Sequence, residues 1–214
     1  MKNHFLALLI TCTATTLAQT DTRIYDIIQK VSVKNIEADI TTLANFGTRN
    51  TFSDTLSSTR GIGAARRWIK AEFDQISLNC NDCLDVFYQK DLVKAASSKR
   101  VPKDTWVVNV VAIQKSKTGS NRYIIISGDI DSRNSDGSDY TKDAPGANDN
   151  ASGMAGALEA SRVLSGYEFD ANIVYLGLSG EEQGLFGGAG FARYDQDNNG
   201  DIIDVLNNDM NGNT

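Results

Sequence analysis

The feature that most constrains the fold is an alternation of strand-like and helix-like segments in the second half of the chain. Residues 123–127 and 173–178 are short apolar runs rich in β-branched and aromatic residues, which predict buried strands. Between them, apolar residues at helical spacing predict a helix that ends near Leu164 and is capped by Asn150 or Ser152. This order predicts an α/β fold, with a largely parallel central sheet covered on both faces by helices.

The rest of the chain extends this pattern at both ends. Before the first confident strand, apolar residues keep helical spacing in three places, and β-branched or aromatic runs then alternate with polar turns. We expect an N-terminal helical segment over residues 19–59 and one domain over residues 60–214. The additional predicted elements are helices near residues 24–31, 36–43, 65–76 and 182–194, and strands at residues 84–88, 106–113 and 203–207.

Length and charge limit the classes of partner. The 214 residues allow one sizeable domain with a true core, and 41% hydrophobic and 22% charged residues are typical of a globular protein. The formal net charge of -6 would repel nucleic acid and anionic membranes, so we expect neither as a partner.

The first 18 residues are typical of a secretory signal peptide. Lys2 gives a positive start, residues 5–10 are apolar, and small residues precede a cleavage site before Gln19. The apolar run is too short to span a bilayer. A lipoprotein site at Cys12 is an alternative with a poorer match. We expect an exported protein, periplasmic or extracellular, without a stable membrane span.

Two cysteines remain after removal of the signal. In an oxidising compartment, Cys80 and Cys83 predict a local disulfide. The alternative, a redox motif, would need a low-pKa cysteine at the start of a helix, whereas this pair lies between a helix and a strand in acidic company.

Residues 195–201 match the first half of a calcium-binding loop. Oxygen-bearing side chains alternate, and Gly200 stands at the sixth position. The twelfth position is Leu206, where such loops need a bidentate Glu. A solvated turn between a helix and a strand explains the same residues.

Acidic residues follow several of the predicted strands. Asp129 and Asp131 end the strand at residues 123–127, and Glu181 and Glu182 follow the strand at residues 173–178. Taken singly, such carboxylates are explained by helix capping, at Asp149, or by the helix dipole, at Glu181 and Glu182.

Taken together, the same carboxylates predict a metal site. Carboxyl groups from separate strand ends that meet in one crevice repel each other unless they are protonated or neutralised by cations. Bound metal ions would remove that repulsion, so the set favours a metal-dependent hydrolase.

These segments resemble the co-catalytic zinc metallopeptidases of metallopeptidase family twenty-eight, which includes secreted aminopeptidases. The resemblance covers about residues 60–212 and is strongest over residues 128–212. It implies a three-layer α/β/α sandwich of the zinc-peptidase type and two zinc ions that share a bridging carboxylate and a water. By position, the resemblance implies the following roles: Asp149 as the bridging ligand, Glu182 and Asp209 as ligands of one metal each, Glu181 as the general base, and Asp131 as a catalytic residue that supports the metal ligands.

The chain departs from the family pattern at two ligand positions. Asp129 stands where the family usually has a His ligand, and the family's distal His has no counterpart before Thr214. A carboxylate also binds divalent metals, so we include Asp129 among the metal ligands, but oxygen donors tilt the preference from zinc towards Mn²⁺ or Mg²⁺. The only histidine is His4, in the predicted signal, and we expect the domain to be incomplete at its C-terminus.

The resemblance implies an exported, metal-dependent aminopeptidase that hydrolyses peptides, with Glu181 activating a metal-bound water. Carboxypeptidase-like relatives and glutaminyl cyclases use the same scaffold, so the reaction class is better specified than the substrate. A different class of function is a catalytically inactive relative that keeps the crevice as a peptide-binding module. A calcium-stabilised surface module is a more distant alternative.

Overall fold

The structure is a computed structural model that describes residues 21–212. The predicted signal peptide, the cleavage site and the lipoprotein alternative lie outside the described residues. The helices are α1 (Thr22–Gln29), α2 (Val33–Asn45), α3 (Gly61–Asn79), α4 (Gly153–Leu164), α5 (Glu181–Gly184) and α6 (Phe186–Asp197), and a π-helical turn spans Ala147–Ser152. The strands are β1 (Leu84–Val93), β2 (Thr105–Gln114), β3 (Arg122–Asp129), β4 (Asn172–Leu178) and β5 (Asp201–Asn208).

The five strands form one mixed sheet in the order β1-β2-β4-β3-β5. β3 pairs in parallel with β4 and β5, whereas β2 is antiparallel to both of its neighbours. Four strands therefore run in one direction and β2 alone runs in the other, although two of the four pairings are antiparallel. The carboxyl ends of β1, β3, β4 and β5 all lie at one edge of the sheet, together with the start of β2.

Helices cover both faces of the sheet, which confirms the predicted layered α/β fold. On one face, α3 and α4 bury Phe73, Leu158 and Met154 against Tyr175 and Val110 of the sheet. On the other face, Phe191 of α6 packs against apolar side chains of β2, β3 and β4, at Val111, Ile125, Val174 and Leu176. Burial of these apolar surfaces is the main stabilising contribution to the fold.

The prediction of one continuous helix over residues 182–194 is wrong. The chain forms the single turn α5 and then α6, and Leu185 between them has a left-handed backbone with φ 59°. A left-handed residue cannot continue a right-handed helix, so the direction changes there. Of the two predicted caps of α4, Ser152 occupies the N-cap position without a side-chain cap hydrogen bond, whereas Asn150 Oδ1 accepts a hydrogen bond from the Gly153 N–H at 3.0 Å.

The cysteine pair and the acidic segment at residues 195–201 both lie at the ends of helices. Cys80 and Cys83 form the expected disulfide at the end of α3. Residues 195–201 form the C-terminal turn of α6 and the start of β5, with Asn199 in the left-handed conformation. These residues therefore form the helix-to-strand turn that was the alternative to a calcium loop, and Leu206, at the twelfth position of such a loop, lies within β5.

The N-terminal helices are tied to the rest of the domain by buried polar contacts. Arg162 of α4 pairs with Asp39 of α2 at 2.6 Å and with Glu72 of α3 at 2.9 Å. Glu159 of α4 accepts a hydrogen bond from the Ser32 N–H at 2.6 Å, at the start of α2. None of the helices between residues 21 and 212 has the length and apolar character needed to cross a bilayer.

Candidate active site

The site lies at the sheet edge where β3, β4 and β5 end, and glycines let the backbones meet there. A Cβ atom on Gly128, near the end of β3, would collide with the backbone of Gly153 and Met154. A Cβ atom on Gly153 would collide with the carbonyl of Asn208, at the end of β5. Only glycine permits this close approach, which brings the start of α4 against two strand ends.

Asp129 is the last residue of β3 and is 5% exposed. Burial, together with the nearby charges of Asp131, Glu181 and Asp209, raises its pKa to about 7, and the hydrogen bond from Asn150 opposes this rise. The carboxylate that replaces the family's His therefore lies within electrostatic range of three other predicted site residues.

Asn150 holds Asp129 in place. Its side-chain amide donates hydrogen bonds to Asp129 Oδ2 at 3.0 Å and to the Asn208 carbonyl at 2.9 Å. Its Oδ1 accepts from the backbone N–H groups of Gly153 and Met210. One buried amide thus connects the ends of β3 and β5 to the start of α4.

Asp131 is 1% exposed and binds the turn that follows β4. Its carboxylate accepts hydrogen bonds from the backbone N–H groups of Glu181 and Glu182, both at 3.2 Å, and from the Thr51 hydroxyl at 3.2 Å. Burial raises the pKa of Asp131, and these hydrogen bonds oppose that rise. The anion at the start of α5 is therefore Asp131, which orients the two glutamates.

Glu181 opens α5 and is half-buried. Its pKa is raised to about 7, first by burial and then by the charges of Asp131, Glu182, Asp149 and Asp209. The preceding residue, Gly180, has a left-handed backbone with φ 76°, which turns the chain sharply out of β4. A carboxyl group with this pKa can accept and return a proton near neutral pH.

Glu182, the predicted ligand, forms an ion pair with Arg133. Its side chain is 8% exposed and that of Arg133 is 35% exposed, so the pair is partly shielded from water. Burial raises the pKa of Glu182, and Arg133 opposes that shift. A metal ion bound by Glu182 would have to compete with this guanidinium.

Asp149 and Asp209 are exposed loop residues at the rim of the site. Asp149 lies in the π-helical turn, where its own φ and ψ are not helical, and a cis peptide bond joins it to Asn150. Asp209 follows β5 and lines a cavity of about 520 Å³ together with Asp129 and Glu181. Ser179 also lines this cavity, and its buried hydroxyl has no hydrogen-bond partner within residues 21–212.

The chemistry of this donor set fits a divalent cation, but the arrangement does not complete a site. Three carboxyl groups share the cavity, and a cation would relieve the repulsion that adds to burial in raising the pKa values of Asp129 and Glu181. Within the described part of the chain, however, no group of three or more acidic, His or Cys residues is close enough to hold a metal ion.

Four residues of the site were not predicted from the sequence in their present roles. Asn150 was expected only as a helix cap, and Thr51, Arg133 and Arg49 were not singled out. Arg49 is fully buried and donates hydrogen bonds to the carbonyls of Ile130, Pro145 and Gly146 at 2.8, 2.5 and 2.9 Å. Backbone carbonyls that act as hydrogen-bond acceptors leave no pattern in the local sequence around an arginine.

Comparison with known proteins relates this site to a family of peptidases. Peptidase family M28 matches over residues 109–214, which include every predicted site residue. A probable zinc metalloprotease of Pyrenophora teres f. teres is 39% identical over 192 residues, a match that covers 90% of this chain and 39% of that protein. The chain thus spans well under half the length of this relative.

Solved structures show the same fold at lower identity. The LapA aminopeptidase of Legionella pneumophila matches with a TM-score of 0.66 and 18% identity, over 88% of this chain and 48% of its own. The glutaminyl cyclase of Fimbriiglobus ruber matches with a TM-score of 0.62 and 17% identity, over 82% of this chain and 60% of its own. With its carboxylates at the strand ends and its matched residues 109–214, the chain belongs to peptidase family M28.

Proposed function

We propose that this chain carries the catalytic carboxylates of an exported, metal-dependent aminopeptidase. The observation that carries the proposal is Glu181, a half-buried carboxyl group with its pKa raised to about 7, in a cavity shared with Asp129 and Asp209. Family membership supports peptide hydrolysis with zinc, and the aminopeptidase activity stated for LapA supports the exopeptidase class. Export rests on the signal-like residues 1–18.

In this proposal Glu181 is the general base. It takes a proton from the attacking water and returns it to the leaving amine, which requires a pKa near the working pH. Asp131 is the positioning residue, because its carboxylate holds the backbone N–H groups of Glu181 and Glu182. The direction of the Glu181 side chain thus depends on Asp131.

In this proposal Asp129, Asp149, Glu182 and Asp209 are the residues that would hold two divalent cations. Zinc is the metal in the name of the relative from Pyrenophora teres f. teres, and Mn²⁺ or Mg²⁺ are alternatives because every one of these donors is an oxygen. When bound, such ions polarise the scissile carbonyl and lower the pKa of a water molecule.

The test is hydrolysis of a panel of aminoacyl nitroanilides by the purified chain, first stripped of metal and then supplied with Zn²⁺, Mn²⁺ or Mg²⁺. We expect metal-dependent turnover that is lost at acid pH as Glu181 takes up a proton, with a midpoint below about pH 7, because bound cations lower the pKa that Glu181 has in the metal-free chain. Glu181→Gln should lower turnover by at least about 100-fold, within the usual contribution of a general base. Glu37→Gln, on the exposed surface of α2, is the matched control and should not change it.

A second candidate is a peptide-binding module without turnover, and the ion pair between Arg133 and Glu182 favours it. That pair satisfies a predicted metal ligand without any metal. Peptide binding by a folded chain that shows no turnover with any metal would support this candidate and contradict the aminopeptidase. Including a substrate with an N-terminal glutamine, with ammonia release as the readout, separates cyclase activity from both.

A further inference from the structure

A second cavity, of about 760 Å³, lies at the same edge of the sheet as the carboxylates but is basic. Residues from the start of α3, from β1 and from the start of β2 line it, together with residues 51–53, 55, 103 and 104. Its charged residues are Arg66, Arg67, Lys90, Lys103 and Asp104, of which only Asp104 is acidic. Asp104 already pairs with Lys94 at 2.8 Å, so the cavity is positive in a chain whose net charge is -6.

Arg66 gives this cavity its chemical character. The residue is 8% exposed and lines the cavity, and its Nε donates to the Ile62 carbonyl at 3.2 Å. Its two terminal nitrogens make no hydrogen bond or ion pair with any residue between 21 and 212. Burial lowers the pKa of Arg66 to about 10, which reflects the cost of keeping the cation away from water.

The other two buried or largely buried arginines of the core are compensated. Arg49 donates to four backbone carbonyls, and Arg162 pairs with three carboxylates. Arg66 therefore differs from both, because no protein group accepts a hydrogen bond from its two terminal nitrogens and the charge of Asp131 offsets the cost of its burial only in part. A ligand with negative charge would offset that cost, and a planar guanidinium suits a carboxylate through two parallel hydrogen bonds.

The walls of the cavity fit a small organic anion. Tyr88 and Trp106 line it with aromatic surface, and Lys90 and Lys103 add exposed positive charge. Gly63 and Arg66 lie in the first turns of the 19-residue helix α3, whose N-terminus also favours anions.

One residue connects this cavity to the candidate active site. Thr51 lines the cavity and donates its hydroxyl to Asp131 at 3.2 Å. The charge of Asp131 also acts on Arg66, so the two sites are near each other. A ligand that reaches from the carboxylates to Arg66 would have a cationic group at one end and an anionic group at the other, as a short peptide does.

We propose that the cavity around Arg66 binds the terminal carboxylate of a short peptide. This inference rests on the proposed function and deepens it, because it makes short peptides with a free C-terminus the favoured substrate class.

The experiment measures binding without turnover. The metal-free Glu181→Gln chain is titrated with an N-acetylated tripeptide acid, with the same tripeptide as its amide, and with inorganic phosphate, and tryptophan fluorescence is recorded. Trp106 lines the cavity and only one other tryptophan is present, so Trp106→Phe should remove the signal and locate the bound probe. We expect the acid to bind at least 10-fold more tightly than the amide.

Variants of Arg66 test its role directly. Arg66→Gln should weaken binding of the acid at least 10-fold, and Arg66→Lys should weaken it less, because a charge remains without the planar fork. Arg193→Gln is the control, since Arg193 is exposed and pairs with Asp91 outside this cavity. If Arg66→Gln does not fold, the comparison of acid with amide on the parent chain still decides the question.

Two results would overturn the proposal: equal binding of the acid and the amide, or binding of phosphate alone. Nitroanilide turnover is scored separately, on the chain that keeps Glu181. Turnover together with equal binding would reject the Arg66 pocket and leave the aminopeptidase intact. Selective binding of the acid without any turnover would keep the pocket and reject the aminopeptidase.

Discussion

The side-chain amide of Asn150 donates a hydrogen bond to the carboxylate of Asp129 at 3.0 Å, in the interior of the domain. The same amide also reaches the Asn208 carbonyl, so both of its N–H groups are satisfied by groups from different strands. Asn150 is 1% exposed, which means that water cannot replace either contact. This residue therefore holds the carboxylate that stands in the place of the family's His.

Asn150→Asp should destabilise the fold at neutral pH. The change removes both N–H donors and places a second carboxylate beside Asp129, so we expect a loss of roughly 2 to 4 kcal/mol in the free energy of unfolding. The loss should shrink at pH 5, where protonation relieves the repulsion. Urea unfolding at both pH values measures it. Asn148→Asp makes the same change in charge but keeps the acceptor for the Gly212 N–H, and equal losses for both variants would contradict the role of Asn150.

The metal-free chain should lose stability as pH rises from about 4 to about 7. Asp129 has a pKa of about 7 in the fold and about 4 when unfolded, so the folded chain binds the proton more tightly. Stabilisation from this proton is fully present below pH 4 and is lost as pH rises through 7, by roughly 2 to 4 kcal/mol. Asp129→Asn should flatten the slope, measured by urea unfolding in chelator. The Asp129→Asn, Glu181→Gln double variant should flatten it further, and unchanged slopes would contradict the shifts.

Arg133→Gln should separate the two roles of Glu182. Without a metal, loss of the ion pair should cost about 1 to 3 kcal/mol, because the Glu182 carboxylate is left largely buried. If Glu182 is a ligand, removing its competitor should strengthen Zn²⁺ binding several-fold, measured by calorimetry. Arg133→Lys keeps the charge and should show a smaller gain. Equal affinity in all three chains would mean that Glu182 does not bind the ion.

Two glycine substitutions should have opposite effects on stability. Gly153→Ala would drive a methyl group into the Asn208 carbonyl, so we expect a loss of at least about 2 kcal/mol. Gly188→Ala, in α6, meets nothing within 4 Å and should gain about 0.5 to 1 kcal/mol from lower backbone entropy. Thermal unfolding of both variants measures the difference. A neutral Gly153→Ala would show that the backbones at the strand ends are not closely packed.

The layered fold could be predicted because β3 and β4 are buried on both faces. Such strands are continuous apolar runs, and helical spacing between them is unambiguous. The reversed direction of β2 could not be predicted, because strand direction depends on pairing partners and not on periodicity. The break at Leu185 was equally hidden, since a left-handed leucine has no signal in its own sequence.

The sequence predicts which carboxylates lie at the strand ends but not which side chains each of them contacts. Their positions follow from where apolar runs end, and Asp129, Glu181 and Asp209 do line one cavity. The pairing of Glu182 with Arg133 joins residues 49 positions apart, and that of Arg49 with Ile130 joins residues 81 positions apart. Contacts over such separations follow from tertiary packing alone.

Arg49 gives the N-terminal segment a direct part in the geometry of the site. Its guanidinium donates hydrogen bonds to the carbonyl of Ile130, which precedes Asp131, and to the carbonyls of residues 145 and 146, in the loop that leads to Asp149. The first loop carries the positioning residue Asp131, and the second carries the predicted ligand Asp149. Because one side chain binds both loops, a shift of either loop would disturb the hydrogen bonds that Arg49 makes to the other. The relative positions of these two loops therefore depend on a residue far upstream in the sequence. A fragment that begins at residue 60 would keep the acidic residues but would lack the side chain that fixes the two loops relative to each other.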